Sequence, residues 1–175
     1  HDPVWPDGGN VIVKVEPAEY CAGNSIYTAF VRQFGPHKSR PHESTRHAKA
    51  IETLEEAGYS VIPRSGTFRD LIRELDFVIG QLGCRIIHLL PIHPIPTTYA
   101  RMGRFGSPFA ALDFMDVDHA LAEFDRKTTP LEQFGELADA IHERHGRVFL
   151  DIPVHHTGSA SRLQIERPEG FARDH

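Results

Sequence analysis

Three side chains late in the sequence have types and spacing suited to chemistry: Asp151, His155 and His156, within the stretch Gly146 to Gly158 (GRVFLDIPVHHTG). A carboxylate and two imidazoles can move protons, hold a metal ion or hydrogen-bond a polar ligand. Four apolar residues in the run Val148 to Ile152 surround one acid, which predicts a strand buried on both faces, as in parallel sheets covered by helices. Asp151 then has two readings: a solvent-facing residue near a strand end, or a functional carboxylate whose burial demands partners. Adjacent strand residues point to opposite faces, so His155 and His156 share one ion only if the strand has already ended. Neither a helical HExxH nor a strand HxH is present to strengthen a metal reading.

Four other groups invite the same scrutiny. His88, inside the apolar run Cys84 to Pro91, reads as a satisfied core histidine, whereas His93 stands past Pro91 at a rim where a polar role is open. Asp113, Asp116 and Asp118 lack the central Gly and closing Glu of an EF-hand, so solvated loop acids are the default. Arg101 and Arg104 flank Gly103, but no Gly-rich turn leads into a helix that would cradle phosphate.

The elements that must position these residues alternate. Val11, Val13 and Val15 predict a short strand that Pro17 ends, and Ser25 to Phe34 is a second β-rich run. A helix is predicted over Thr45 to Ala57, with Ala48, Ile51 and Leu54 on one face and Gly58 as its stop. Tyr59 to Pro63 reads as a short extended piece. A second helix runs from about Thr67 to Leu82, because Phe68, Leu71, Ile72, Leu75, Ile79 and Leu82 recur at helical spacing and Gly83 supplies a left-handed exit. Cys84 to Pro91 is a buried strand. His93 to Phe114 is a long loop in which Tyr99, Met102, Phe105, Phe109 and Phe114 supply packing bulk. Asp118 to Phe124 predicts a short helix. Thr129-Pro130-Leu131-Glu132 is a capping box with Pro at the first helical position. Leu131, Phe134, Leu137, Ala138 and Ile141 mark the buried face of the helix that follows, and Gly146 ends it. Strands alternating with helices mean a parallel α/β sheet, and right-handed crossovers gather the loops after the strands at one end. Polar groups there form the functional rim.

Bulk properties exclude little else. The chain has 175 residues, 40% hydrophobic and 25% charged, as in a soluble globular protein. A net charge of −5 with dispersed basic residues argues against a nucleic-acid partner. No apolar run approaches the ~20 residues that span a bilayer, so no membrane partner is expected. No secretion signal is legible at the N-terminus, which favours a cytoplasmic location. Cys21 and Cys84 form no CxxC pair and are expected as reduced, buried thiols. His1 replaces an initiator methionine and Ala172 to His175 carry no cap, so a piece of a longer chain is expected.

Several of these motifs, in order, resemble the α-amylase superfamily of glycoside hydrolases and transglycosidases. SIYTAFVRQF is similar to its first barrel strand, and Gly66 to Pro94 (GTFRDLIRELDFVIGQLGCRIIHLLPIHP) to its first helix and second strand. SPFAALDF, Ser107 to Phe114, resembles a loop motif in which an aromatic precedes an acid by four positions. TPLEQFGELADAIHERHGRVFLDIPVHH resembles the second helix and third strand, which close on the family's first signature region. ERPEGF, Glu166 to Phe171, resembles a segment that often follows. The resemblance implies a (β/α)8 TIM barrel of which this chain holds the first three βα units. Residues 1–24 form a short N-terminal β lead-in, and residues 25–175 the incomplete barrel, with an insert at about 35–65.

By the same resemblance, the substrate is an α-linked glucan, cleaved with retention by a carboxylate nucleophile and a carboxylic acid/base. His156 matches the histidine that hydrogen-bonds the sugar in the cleavage subsite, and Asp151 the acid that opens the signature and supports the site. Phe109 falls where a Tyr often stacks on that sugar, and Asp113 follows at the expected spacing. Two positions depart from the pattern. His155 stands where the family has an Asn that often ligates calcium. A neutral imidazole is a poor ligand for a hard cation, so no calcium or other cofactor is expected. Gly170 replaces a Trp. The nucleophile and acid/base belong to later strands, expected beyond His175. A full barrel takes ~250 residues, so the chain alone is expected to be inactive, with an unpaired edge at its third strand and a need for the rest of its barrel. Two rival readings are a non-catalytic glucan-binding or assembly module, and a metal-dependent hydrolase barrel using His93, His155 or His156.

Overall fold

The computed structural model describes residues 25–35, 45–57, 65–97, 102 and 105–170. The predicted strand at Val11 to Val15, the extended piece at Tyr59 to Pro63, and Cys21, Tyr99, Arg101, Gly103, Arg104 and Phe171 lie outside them.

Strands β1 (Ile26–Ala29), β2 (Ile86–Leu89) and β3 (Arg147–Leu150) form a parallel sheet in that order. The register sets Thr28 beside His88 beside Phe149, and Ala29 beside Leu89 beside Leu150. Side chains alternate between faces along each strand, so the two rows point opposite ways. Ala29, Ile87 and Leu89 lie on the covered face and are fully buried with Phe68, Leu71, Leu75, Leu137 and Ile141 from the helices. This is the α/β core that the alternating pattern predicts. No helix of the described residues is long and apolar enough to cross a membrane.

The helices keep their predicted places with instructive differences. Helix α1 (Thr45–Glu56) forms, but Leu54, expected on its buried face, is exposed. Helix α2 (Phe68–Ile72) starts at Thr67, whose hydroxyl accepts from the Asp70 N–H while Asp70 caps the Thr67 N–H in return. The predicted continuous helix to Leu82 widens into a π-helical turn over Asp76–Gln81, with the Leu82 N–H donating to the Phe77 carbonyl. The wider turn shifts the helical phase. Val78 therefore joins Ile79 in the core, and Leu82 rotates out to solvent.

Helix α3 (Pro130–Glu143) has the predicted capping box, Thr129 with Glu132. Leu131 is 64% exposed, and Gln133 takes a buried place instead. The Gln133 amide accepts from the Glu123 N–H at 2.9 Å and donates to the Glu123 carbonyl at 2.8 Å, satisfying both polar groups of a strandless residue. Gln133→Leu keeps the volume but orphans both groups, and is expected to lower unfolding free energy by about 2–3 kcal/mol in urea titration. At the exit from α3, just before Gly146, His145 takes a positive φ (58°). Gly146 is required for proximity, since a Cβ there would stand 2.8 Å from the Ile141 side chain. Between α3 and β2 the predicted helix at Asp118 to Phe124 shortens to a single 3-10 turn, His119–Leu121, capped by Asp118. Cys84, expected buried, is a half-buried free thiol.

Arg69 clamps α2 to α3. Its guanidinium donates two hydrogen bonds of 2.8 Å to Glu136 and one of 3.2 Å to Asp125. Arg69 holds the Glu136 carboxyl below its ordinary pKa. The Lys127 N–H, then Arg69, does the same for Asp125. A carboxyl whose folded pKa is depressed contributes stability above its unfolded pKa, and that stability is lost as pH falls through the folded value. Between roughly pH 5 and 2 the melting temperature is expected to fall, and Arg69→Met to flatten that fall. Thermal melts across that range measure both slopes.

Candidate functional site

Because the strands are parallel, the segments after β1, β2 and β3 emerge at one end, and short backbone bonds knit them together. The Asp118 N–H donates to the Ile92 carbonyl and the Leu112 N–H to the Pro94 carbonyl, each at 2.8 Å. These fold the long loop after β2 back on its own start. The Gly158 N–H then reaches the Ala111 carbonyl at 2.7 Å, and the Arg162 N–H reaches the Leu112 carbonyl at 2.8 Å, joining the loop after β3 to it. Gly158 is needed there, since a Cβ would stand 2.5 Å from the Ala110 carbonyl oxygen. Arg32, after β1, forms a buried ion pair with Asp118 of the β2 loop. Phe105 packs edge-on to Phe30 at 6.2 Å between centroids, and Phe114 to His93 at 5.4 Å. Of the bulk that the sequence offers for packing, Phe105 and Phe114 make these contacts, whereas Met102 and Phe109 are exposed and Tyr99 lies outside the described residues.

On this rim, His156 lines an open cleft of about 320 Å³ with Ser107, Ala110, Thr157 and Gly158. Its ring touches that of His155 at 4.3 Å, and both are exposed. The strand ends before them, so the pair escapes the opposite-face rule. Even so, no group of three His, Cys, Asp or Glu among the described residues stands together to hold a metal ion. Phe109 sits beside Ala110 in the turn of the same loop, 38% exposed.

Asp113 is turned away from the cleft into the scaffold. One carboxylate oxygen accepts from the Met115 N–H at 2.8 Å and the other from Arg162 at 3.2 Å, where α4 (Arg162–Glu166) begins. The backbone bond first, and Arg162 second, keep its carboxyl below the ordinary range, so it is a fixed charge and not a proton donor. His93 is buried rather than open at the rim, with its Nδ1 3.2 Å from the Asp116 carbonyl.

Asp151 lies apart from the cleft. The expectation that Val148 to Ile152 is buried on both faces is overturned: β3 stops at Leu150, Phe149 is 43% exposed and Ile152 46%. Helices cover one face of the described sheet, so alternate residues of β3 face away from the core. Asp151 follows on that uncovered side, with one oxygen 3.8 Å from His88 Nε2. His88 is likewise no core histidine. It is 31% exposed, and its Nδ1 lies 3.3 Å from the Thr28 hydroxyl. Strand parity carried this signal in the sequence: Ile87 and Leu89 take the covered face, which leaves His88 to the other. Thr28, Arg32 and Arg162 were not singled out by type or spacing.

No protein-family model and no curated protein matches the chain. Solved structures do. An α-amylase from Lactobacillus plantarum aligns with TM-score 0.60 at 28% identity, over 86% of this chain and 27% of its own. A noncanonic maltogenic α-amylase, AmyB, from Thermotoga neapolitana aligns with TM-score 0.56 at 24% identity, over 85% and 27%. An α-amylase from Geobacillus thermoleovorans complexed with acarbose gives 0.59 at 19% identity, over 87% and 28%. The chain thus spans little more than a quarter of the length of these structures. Its structural neighbours are glycoside hydrolases of the α-amylase family, the family that its motifs resemble.

Proposed function

We propose that the chain is the N-terminal part of a retaining α-amylase-family glycoside hydrolase or transglycosidase. In this reading it forms one wall of the α-glucan cleft in a (β/α)8 barrel. The observation that carries the reading is the seating of the Ser107 to Phe114 loop on Gly158, which brings exposed His156 together with Ser107 and Ala110, the neighbours of Phe109 in that loop, at one cleft at the ends of parallel strands. His156 presents an imidazole that hydrogen-bonds a sugar hydroxyl. Phe109 offers a flat apolar face to the apolar face of a pyranose. Asp113 acts from behind, holding Arg162 and with it the start of α4 against the loop. Asp151 supports the site from the open sheet face.

The sheet's uncovered face and the edge of β3 suit closure by further strands, which would supply the nucleophile and the acid/base. Calcium does not fit the position where the family has an Asn, because His155 offers nitrogen, and no step runs through an ion.

Sequencing the coding region past His175 tests the proposal. An open frame that supplies Asp, Glu and Asp at successive strand ends supports it. A stop codon directly after His175 favours a non-catalytic glucan-binding module instead.

A further inference from the structure

Thr28, His88 and Asp151 are far apart in sequence and come from three different strands or their ends, yet they make one polar line on the open face of the sheet. The register seats Thr28 directly beside His88, with Oγ1 and Nδ1 3.3 Å apart. Asp151 stands two positions beyond Phe149, the β3 partner of His88. That diagonal offset on one face brings its carboxylate to 3.8 Å from Nε2. His88 and Asp151 are each about two-thirds buried, at 31% and 32% exposure. Arg147, the charged residue of β3, donates to the Gly146 carbonyl.

The order hydroxyl, imidazole, carboxylate is also that of a nucleophilic triad. A nucleophile needs donors converging where an oxyanion would form. The backbone N–H groups beside Thr28 lie in the sheet plane, so none converges above its hydroxyl. The arrangement therefore orients a carboxylate and does not attack with an oxygen.

We propose that His88, anchored by Thr28, is a positioning residue that sets where the Asp151 carboxylate points on the open sheet face that supports the glucan site. This rests on the proposed function. The imidazole carries a proton on Nε2 toward Asp151, and the Thr28 hydroxyl donates into Nδ1. Leu at position 88 would fill the space without aiming a donor, whereas the Gln side-chain amide can reach the place of Nε2–H.

Two readouts test it. In long-range ¹H–¹⁵N spectra of the chain, His88 is expected as a single Nε2–H tautomer, becoming a mixture in Thr28→Val and in Asp151→Asn. An unchanged ring pattern in both variants overturns the proposal. In the complete enzyme acting on maltodextrin, His88→Leu is expected to lower kcat at least tenfold with KM little changed, and His88→Gln to restore most of it. Equal losses in the two variants overturn it as well. The spectra do not depend on glucan turnover, so a tautomer shift without turnover would sink the proposed function and leave the polar line standing. Should Asp151→Asn fail to fold, Asp151→Glu serves in its place, with the single tautomer retained if the proposal holds and a mixture if it does not.

Discussion

Asp118→Ala is expected to cost about 3–5 kcal/mol of folding free energy, the scale of leaving one charge of a buried pair without its partner. Both members are nearly sealed from solvent, with side-chain exposures of 5% for Arg32 and 11% for Asp118. The second oxygen of Asp118 also accepts the Ala120 N–H at 2.8 Å and caps the 3-10 turn, so the substitution removes that cap as well. Replacing both partners together, Arg32→Met with Asp118→Leu, is expected to cost less than Asp118→Ala alone, because no charge is then stranded. Urea unfolding of the single and double variants measures the difference. A single-variant loss under about 1 kcal/mol would mean that the pair is hydrated, as surface pairs are.

His156→Ala carries the second large effect, and on function alone. Its side chain is exposed on the rim and supports no core packing, so the melting temperature should stay within a degree or two. In the complete enzyme kcat/KM on maltodextrin is expected to fall about 100-fold, the scale of losing one aligned donor to the transition state. Steady-state kinetics with unchanged kcat and KM would remove His156 from the site.

Much of the scaffold was legible because its signals are local. Thr129, Pro130 and Glu132 announced α3, and the apolar run Ile86 to Leu89 announced β2. The π-turn after α2 was not legible, since its apolar residues fit an ordinary helix almost as well until packing selects Val78 over Leu82. The motif around His156 pointed to the rim residue by resemblance. The roles of Arg32, Arg162 and Gly158 depend on partners brought close only by the fold, the Arg32 and Asp118 pair being 86 positions apart. His88 shows the intermediate case. Hydrophobic surroundings along one strand suggested a core residue, while the two-residue period of the same strand pointed it outward.

The most direct test of the central claim is the anomeric form of the first product that the complete enzyme releases from maltodextrin, followed by proton NMR before mutarotation. A retaining α-glucan site gives the α-anomer first. The β-anomer as first product, or no turnover of any α-glucan, would contradict the account.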